Sequence, residues 1–437
     1  MLCVRATITT GRSGRRGGRR GPRGTAASGL GVARGAALYV GAVLGPGVLL
    51  VPALAAQAAG PASVLAWIGL LAVSLALAAT FAALGVRLPV AGGAAAYVRE
   101  AFGRASAAAT GWCFFAGVVT GAPTVALIGG FYVEHLVGGG LIVQLTTGVA
   151  MMAAVLGANA GGLHVSATMQ LGLAATLAAL LLVGIVGALP SAHASNWTPF
   201  APHGWLAVGT AANLLMLSFV GWEAVAHLAG DFADPQRDLP RAMLAAFALV
   251  TVLYLGLAVT TVAVLGGAEG SNVPLADLVQ RGLGAPGRIA TAAIAVLLTT
   301  GAMNAYVAGA GRLAGALADD GAMPRWMARR GGPLAVFGAT GAALLALLAA
   351  GVLDVEPLIR ISSTFFVAVY VAATAAGTRL LVGRLRAAAA LSLALVLVVL
   401  AFSGPYLAAP AALALLAAAR GRAGAMLWFR PKTLSGS

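Results

Sequence analysis

The sequence predicts an all-α polytopic membrane protein of about twelve transmembrane helices, and three observations carry that reading. First, 60% of the 437 residues are hydrophobic and only 9% are charged, whereas soluble domains carry roughly 25% charged residues. The same apolar richness excludes a disordered chain. Second, apolar stretches long enough to cross a bilayer recur between clusters of charge, Pro and Gly. Twelve helices of ~20 residues use roughly 240 positions and leave no room for a large soluble domain. Third, the basic residues segregate. With the N-terminus inside, 24 of the 27 Lys+Arg fall on one side of the membrane and only Arg281, Arg288 and Arg360 on the other. That is the asymmetry of the positive-inside rule, and it expects both termini in the cytoplasm.

The elements follow in order. Residues 1–34 form a basic tail containing eight arginines, with the run Gly11-Arg12-Ser13-Gly14-Arg15-Arg16. Such a segment could suit RNA or anionic lipid, but it reads first as a solvated tail or as a start assigned too far upstream. It is not a signal peptide, because the apolar run after it is long and broken. The formal charge of +15 is no argument for nucleic acid as a partner. Arginines outside this tail lie mostly in short gaps between apolar runs. Cys3 and Cys113 are too few for a disulfide scaffold. Spans are expected near 35–58, 62–86, 107–136, 141–158, 165–189, 206–228, 242–266, 287–316, 334–352, 356–381, 387–402 and 404–419. A tail over 420–437 closes the chain.

Two spans are interrupted. The first contains Gly45-Pro46-Gly47, where Pro46 donates no helical hydrogen bond and the glycines loosen the turn. The sixth contains Ser218-Phe219-Val220-Gly221-Trp222-Glu223, with a glycine beside the one acid placed deep in a span. A charge there costs ~3 kcal/mol unless paired or protonated. Five spans separate the breaks, so they occupy corresponding positions of a 5+5 repeat. Paired broken helices are the best sequence pointer to a transport site. Unwound backbone is tolerated at depth only where it is buried in protein or lines a cavity. Its N–H groups suit a carboxylate and its freed carbonyls an ammonium. A zwitterionic amino acid presents both.

Several motifs then resemble one family. They are Gly41-Ala42-Val43-Leu44-Gly45-Pro46-Gly47-Val48, Pro89-Val90-Ala91-Gly92-Gly93 with Tyr97 and Gly103, and Phe219-Val220-Gly221-Trp222-Glu223 with Asp234-Pro235 and Leu239-Pro240-Arg241-Ala242. The last is Gly301-Ala302-Met303-Asn304-Ala305-Tyr306 with Gly311-Arg312-Leu313 and Asp319-Asp320-Gly321. Together they resemble the amino acid–polyamine–organocation (APC) permeases. The run from Phe219 through Glu223-Ala224-Val225-Ala226-His227-Leu228-Ala229 is most similar to bacterial exporters of methionine and branched-chain amino acids.

The resemblance implies a LeuT-like 5+5 inverted-repeat core with broken helices 1 and 6. The first repeat would be 35–189, the second 206–381, and two additional helices 387–419. It also implies alternating access in the bacterial cytoplasmic membrane. Carried over, the backbone of Leu44, Gly45, Gly47 and Val48 holds one end of the substrate. That of Ser218, Phe219 and Gly221 holds the other. Trp222, Glu223, His227 and Asn304 are candidates for coupling or gating; for His227 and Asn304 a structural hydrogen bond reads as well. Pro46 stands where many relatives have a small hydroxyl residue. The lysine that some proton-coupled relatives carry in span 5 is missing, which leaves H+ and Na+ both open as the coupling ion.

The side chains expected near the cavity, Thr120, Leu217, Trp222 and Asn304, are uncharged. A charged substrate side chain would lack a partner there and pay desolvation. This favours apolar amino acids. An uptake permease is the same-class alternative. An intramembrane enzyme would need a nucleophile with its base, or metal ligands, at depth. No H-E-x-x-H or G-x-S-x-G occurs. A channel would need a polar stripe that is not evident. No cofactor or metal is expected, and oligomeric state is open.

Overall fold

Pro46 and Gly221 divide the first and sixth apolar stretches at the points where the sequence loosens them. In the computed structural model, which describes residues 31–88, 93–162, 167–222, 232, 234–266 and 271–417, α1 (Val32–Val43) ends three residues before α2 (Gly47–Ala59) begins. The residue before a proline avoids helical backbone, and Pro46 lacks a donor. Leu44 N–H still closes α1 on Val40 O at 2.7 Å, whereas Gly45 N–H turns to Val43 O at 2.7 Å. The chain continues through α3 (Ser63–Arg87), a short α4 (Gly93–Phe102), α5 (Arg104–Val137), α6 (Gly140–Gly161) and α7 (Ala167–Ala188). Next come α8 (Leu206–Leu215), a tighter turn over Met216–Phe219, and extended backbone at Val220 with φ −71° and ψ 133°.

The later helices are α9 (Pro235–Thr260), α10 (Pro274–Leu283), α11 (Ala285–Asp319), α12 (Gly331–Ala349), α13 (Val355–Leu380), α14 (Gly383–Ala401) and α15 (Gly404–Ala417). Asp234 caps α9, its Oδ1 accepting from Arg237 N–H at 3.3 Å, and Pro235 starts it where a missing donor costs nothing. Among the described residues nine helical stretches are long and apolar enough to cross a membrane, Gly47–Arg87 counting as one, with Val32–Val43, Leu206–Phe219 and Gly404–Ala417 as shorter apolar helices.

The helices α4 and α10 were not expected; both lie in connecting segments. The buried side of α10 is Pro274, Leu275, Ala276, Leu278 and Val279, and it packs on α7 and α11. Helices α5 and α13 form the centre: α5 packs on α4, α6, α11 and α13, and α13 also on α4 and α14. The periphery is α6, α7 and α14, whose apolar windows are only 22–28% buried against 78% for α5. Their outward side chains, such as Ile142, Val149, Leu391 and Val398, are the lipid-facing surface of a bundle. Lipid tails are as apolar as these side chains, so close packing and polar pairs hold the helices together. Thr80 and Ser392 hydroxyls meet at 2.9 Å between α3 and α14, and Asn213 Nδ2 on α8 donates to Ser403 Oγ at 3.0 Å beside α15.

Candidate functional site

The two interruptions meet face to face. A side chain at Gly47 would begin with a Cβ 2.8–2.9 Å from Ser218 Oγ, Cα and N, so α2 and the turn after α8 touch backbone to backbone. On the other side Gly221 has φ +134°, and a Cβ there would overlap Ala42 O and lie 2.8 Å from the Ala42 carbonyl carbon. Glycine is required at 221 for both reasons. The breaks therefore form one crossing, with α1 against Gly221 and α2 against Ser218.

A single hydroxyl ties this crossing together. Tyr254 Oη on α9 lies 2.9 Å from Val43 O and 2.7 Å from Ser218 O, one carbonyl from each broken helix. Its one proton is shared between, or alternates between, two acceptors that helix interruption has exposed. The Tyr254 ring stands in a cluster with Trp67 and Phe219, all three centroid distances being 5.2–5.7 Å. From α13, Tyr370 Oη accepts from Gly221 N–H at 3.3 Å. From α5, Tyr132 Oη donates to Leu49 O at 2.7 Å. Three tyrosines thus hold the loosened backbone, and none was singled out from sequence. A lone Tyr in an apolar run carries no local signal.

Beside the crossing lies a small cavity of about 50 Å3, lined by Gly45 and Pro46, by Leu217 and Val220, and by parts of α5, α11 and α13. Its side chains include Val118, Ala122, Val125, Met303 and Phe366. Among the described residues, none that lines it is charged. At ~10–15 Å3 per water, the space holds about three to five waters, less than an amino acid needs.

Of the residues expected at the site, Gly45 lines this cavity, and Leu217 and Pro46 join it. Leu44, Val48, Ser218, Phe219 and Trp222 are fully buried behind it. The Gly47 N–H, first in α2, has no backbone acceptor among the described residues. Ser218 Oγ is buried with no partner among those residues. The carbonyl of Ser218, in contrast, is already engaged by Tyr254. Trp222 packs on Phe247 at 6.3 Å.

Two expectations for the cavity wall change. Asn304 is turned away: its Oδ1 accepts from Asn159 Nδ2 at 2.6 Å, joining α11 to α6. Such membrane-buried pairs contribute ~0.6 kcal/mol on average and up to ~1.7, which is the role of a brace. Thr120 bonds its own helix at Ala116 O, 2.9 Å away. Glu223 and His227 lie outside the described residues, as does most of the Pro89–Gly93 motif. Residues Phe366 and Ser362 on α13, and Ala122 and Val125 on α5, are the wall that sequence reading missed.

At one end of the bundle Arg99 on α4 pairs with Asp320 at the end of α11, both side chains about half exposed. At the other, His135 Nε2 on α5 is 3.8 Å from Asp277 Oδ1 on α10. Exposed pairs of this kind contribute ~0–1 kcal/mol, so the Arg99 pair sets little barrier to separation of the elements it joins.

Comparison with known proteins comes down to three findings. Residues 30–401 match a family model described as amino acid permease. YecA of Bacillus subtilis, an uncharacterized amino acid permease, is 34% identical over 80% of this chain and 84% of its own length. The L-methionine/branched-chain amino acid exporter YjeH of Escherichia coli is 30% identical over 86% of this chain and 91% of its own.

Proposed function

From the premise that this chain belongs to the amino acid permease family, we propose that it is a secondary transporter of neutral, apolar L-amino acids. It exports methionine and branched-chain amino acids across the cytoplasmic membrane by alternating access. Its relatives are permeases and transporters and not enzymes. The observation that carries the reading is the meeting of two broken helices at a cavity whose lining side chains are almost all apolar. The Gly47 amide, at the positive end of α2, suits the carboxylate; the unpartnered Ser218 hydroxyl offers a second polar contact. Val118, Ala122, Val125, Leu217, Val220, Met303 and Phe366 suit an aliphatic or thioether side chain. The Escherichia coli relative, an L-methionine/branched-chain amino acid exporter, points the same way.

Twelve spans arise when α1 with α2, and α8 with the chain after it, each count as one broken crossing, and the short α4 and α10 as none. Helix packing supports a 5+5 inverted repeat over 35–189 and 206–381, with α14 and α15 added. Exchange of α3 with α9, α4 with α10, α5 with α11, α6 with α12 and α7 with α13 maps contacts onto contacts. Packing of α3 on α8 answers α9 on α1, α13 on α5 answers α7 on α11, and α13 on α4 answers α7 on α10. Lengths agree too, with 34 residues in α5 and 35 in α11. The small cavity fits a contracted state, which must widen to admit a substrate. In this reading the Arg99–Asp320 pair faces the cytoplasm and parts when the inner side opens. The coupling ion is H+ or Na+, with Glu223 as the first residue to test.

The experiment is efflux. In bacteria lacking their own methionine exporter and fed a methionine-containing dipeptide, expression of the chain lowers internal methionine and speeds its appearance outside. Glu223→Gln, expressed to the same level, slows that release. An unchanged or higher internal pool would overturn the exporter reading and leave uptake.

A further inference from the structure

A second, larger cavity of about 360 Å3 lies away from the broken helices, among α6, α11, the turn Arg325–Ala328 and the start of α12. Its wall carries three arginines, Arg312, Arg329 and Arg330. None of them forms an ion pair with an acid among the described residues. The nearest acids in sequence, Asp319 and Asp320, do not line it, and Asp320 is engaged by Arg99. Three like charges around one hollow repel one another, and their arrangement is stabilised by an anion between them. The N-terminus of α12 opens at the same place without a side-chain cap, adding the positive end of a 19-residue helix. Arg330 is steadied by its neighbour: its guanidinium lies against Gly162 at the C-terminal end of α6, where a cation is favourable.

The rest of the wall indicates what kind of anion fits. Val307, Met327, Pro333 and Leu334 supply an apolar side, and Asn159, only 6% exposed, keeps its amide N–H groups on Val155 O and Asn304 Oδ1, which leaves the arginines to meet the anion. Two of the walls are α6 and α12, helices whose apolar windows are only 22% and 33% buried and so look outward to lipid. Trp326, half exposed, stands next to the cavity residue Met327, as an aromatic at the membrane interface does. Gly311 and Gly315, four residues apart on α11, leave the hollow open; a Cβ at Gly315 would touch nothing within 4 Å.

The geometry points to a binding site for the phosphate of an anionic phospholipid, with the headgroup among Arg312, Arg329, Arg330 and the α12 N-terminus and the acyl chains along α6 and α12. Juxtamembrane arginines bind such headgroups with roughly tenfold gain for each one or two charges engaged. The site is separate from the cavity at the broken helices, so occupancy is measurable whatever the protein carries.

The test uses the purified full chain in neutral detergent, stripped of lipid. Palmitoyl-oleoyl phosphatidylglycerol, the corresponding phosphatidylcholine, and inorganic phosphate are each titrated by native mass spectrometry and thermal melting. Phosphatidylglycerol is retained and raises the melting temperature, whereas phosphatidylcholine and phosphate do neither. The triple variant R312Q/R329Q/R330Q loses about tenfold or more in phosphatidylglycerol affinity. Gly315→Leu, which fills the hollow without meeting a neighbour at its Cβ, lowers the affinity as well. It keeps the melting temperature of the lipid-free protein, so the test stands even where the triple variant folds poorly. Equal retention of the two lipids, or wild-type affinity in Gly315→Leu, would overturn the proposal. Stabilisation by phosphate as large as that by phosphatidylglycerol would also overturn it and assign the cavity to a soluble anion.

Discussion

Gly221→Ala slows transport by more than tenfold. The residue sits at φ +134°, which costs an L side chain ~1–3 kcal/mol, and its Cβ would overlap Ala42 O and lie 2.8 Å from the Ala42 carbonyl carbon. The obstacle is backbone, so no rotamer change relieves it. Relief requires that α1 and the turn after α8 move apart. That movement stretches the two carbonyl contacts of Tyr254 and alters the Gly45–Pro46 edge of the cavity. More than a tenfold fall in the initial rate of methionine exchange is expected, together with a lower melting temperature in detergent. Gly309→Ala is the matched control. Its Cβ meets nothing within 4 Å, and within helix α11 the change raises helix propensity by ~1 kcal/mol. Rates that fall equally in both variants would mean that the crossing at Gly221 has no special part.

Tyr254→Phe has the next largest effect. The ring is kept, so its contacts with Trp67 and Phe219 survive and no cavity opens. What is lost is the hydroxyl that reaches Val43 O at 2.9 Å and Ser218 O at 2.7 Å. Val43 O keeps the Gly45 N–H at 2.7 Å, but Ser218 O loses this donor, and an unsatisfied buried acceptor costs ~1–3 kcal/mol. At ~1.4 kcal/mol per factor of ten, transport falls about tenfold if the hydroxyl holds the two breaks in register during the cycle. The fall appears in the maximal rate, while expression and apolar packing are retained. An unchanged rate and an unchanged melting temperature would mean that the hydroxyl is dispensable at both carbonyls.

Both residues belong to the same crossing, yet only one was legible in the sequence. Gly221 stands out because a glycine and a nearby acid interrupt an apolar run of the sequence, and Gly45-Pro46-Gly47 because proline removes a helical donor. These are local chemical facts. Span positions were legible for the same reason, since lipid demands a continuous apolar stretch. Tyr254 is one aromatic residue in an otherwise apolar stretch, and its meaning depends on which carbonyls the fold brings to it. The same holds for Asn159 and Asn304, 145 residues apart in the chain. Phe366 on α13 and Ala122 on α5 enter the cavity wall through tertiary packing alone. The helices α4 and α10, at 10 residues each, are too short to stand out as membrane spans, although Pro274 at the start of α10 and the apolar side it buries are local signals.

The central claim is that an apolar amino acid passes through the cavity beside the two broken helices. Counterflow of labelled L-methionine into proteoliposomes preloaded with L-methionine, leucine or D-methionine tests it most directly, with wild type compared to Ala302→Leu. Ala302 lines the cavity and is only half-buried, so leucine there takes up the space without displacing packed backbone. The account predicts saturable uptake driven by L-methionine and leucine and weakly by D-methionine. It also predicts at least tenfold slower counterflow in Ala302→Leu at an unchanged melting temperature, roughly 1.4 kcal/mol in the rate-limiting step. Wild-type counterflow in folded Ala302→Leu, or flux that neither saturates nor discriminates between the enantiomers, would contradict it.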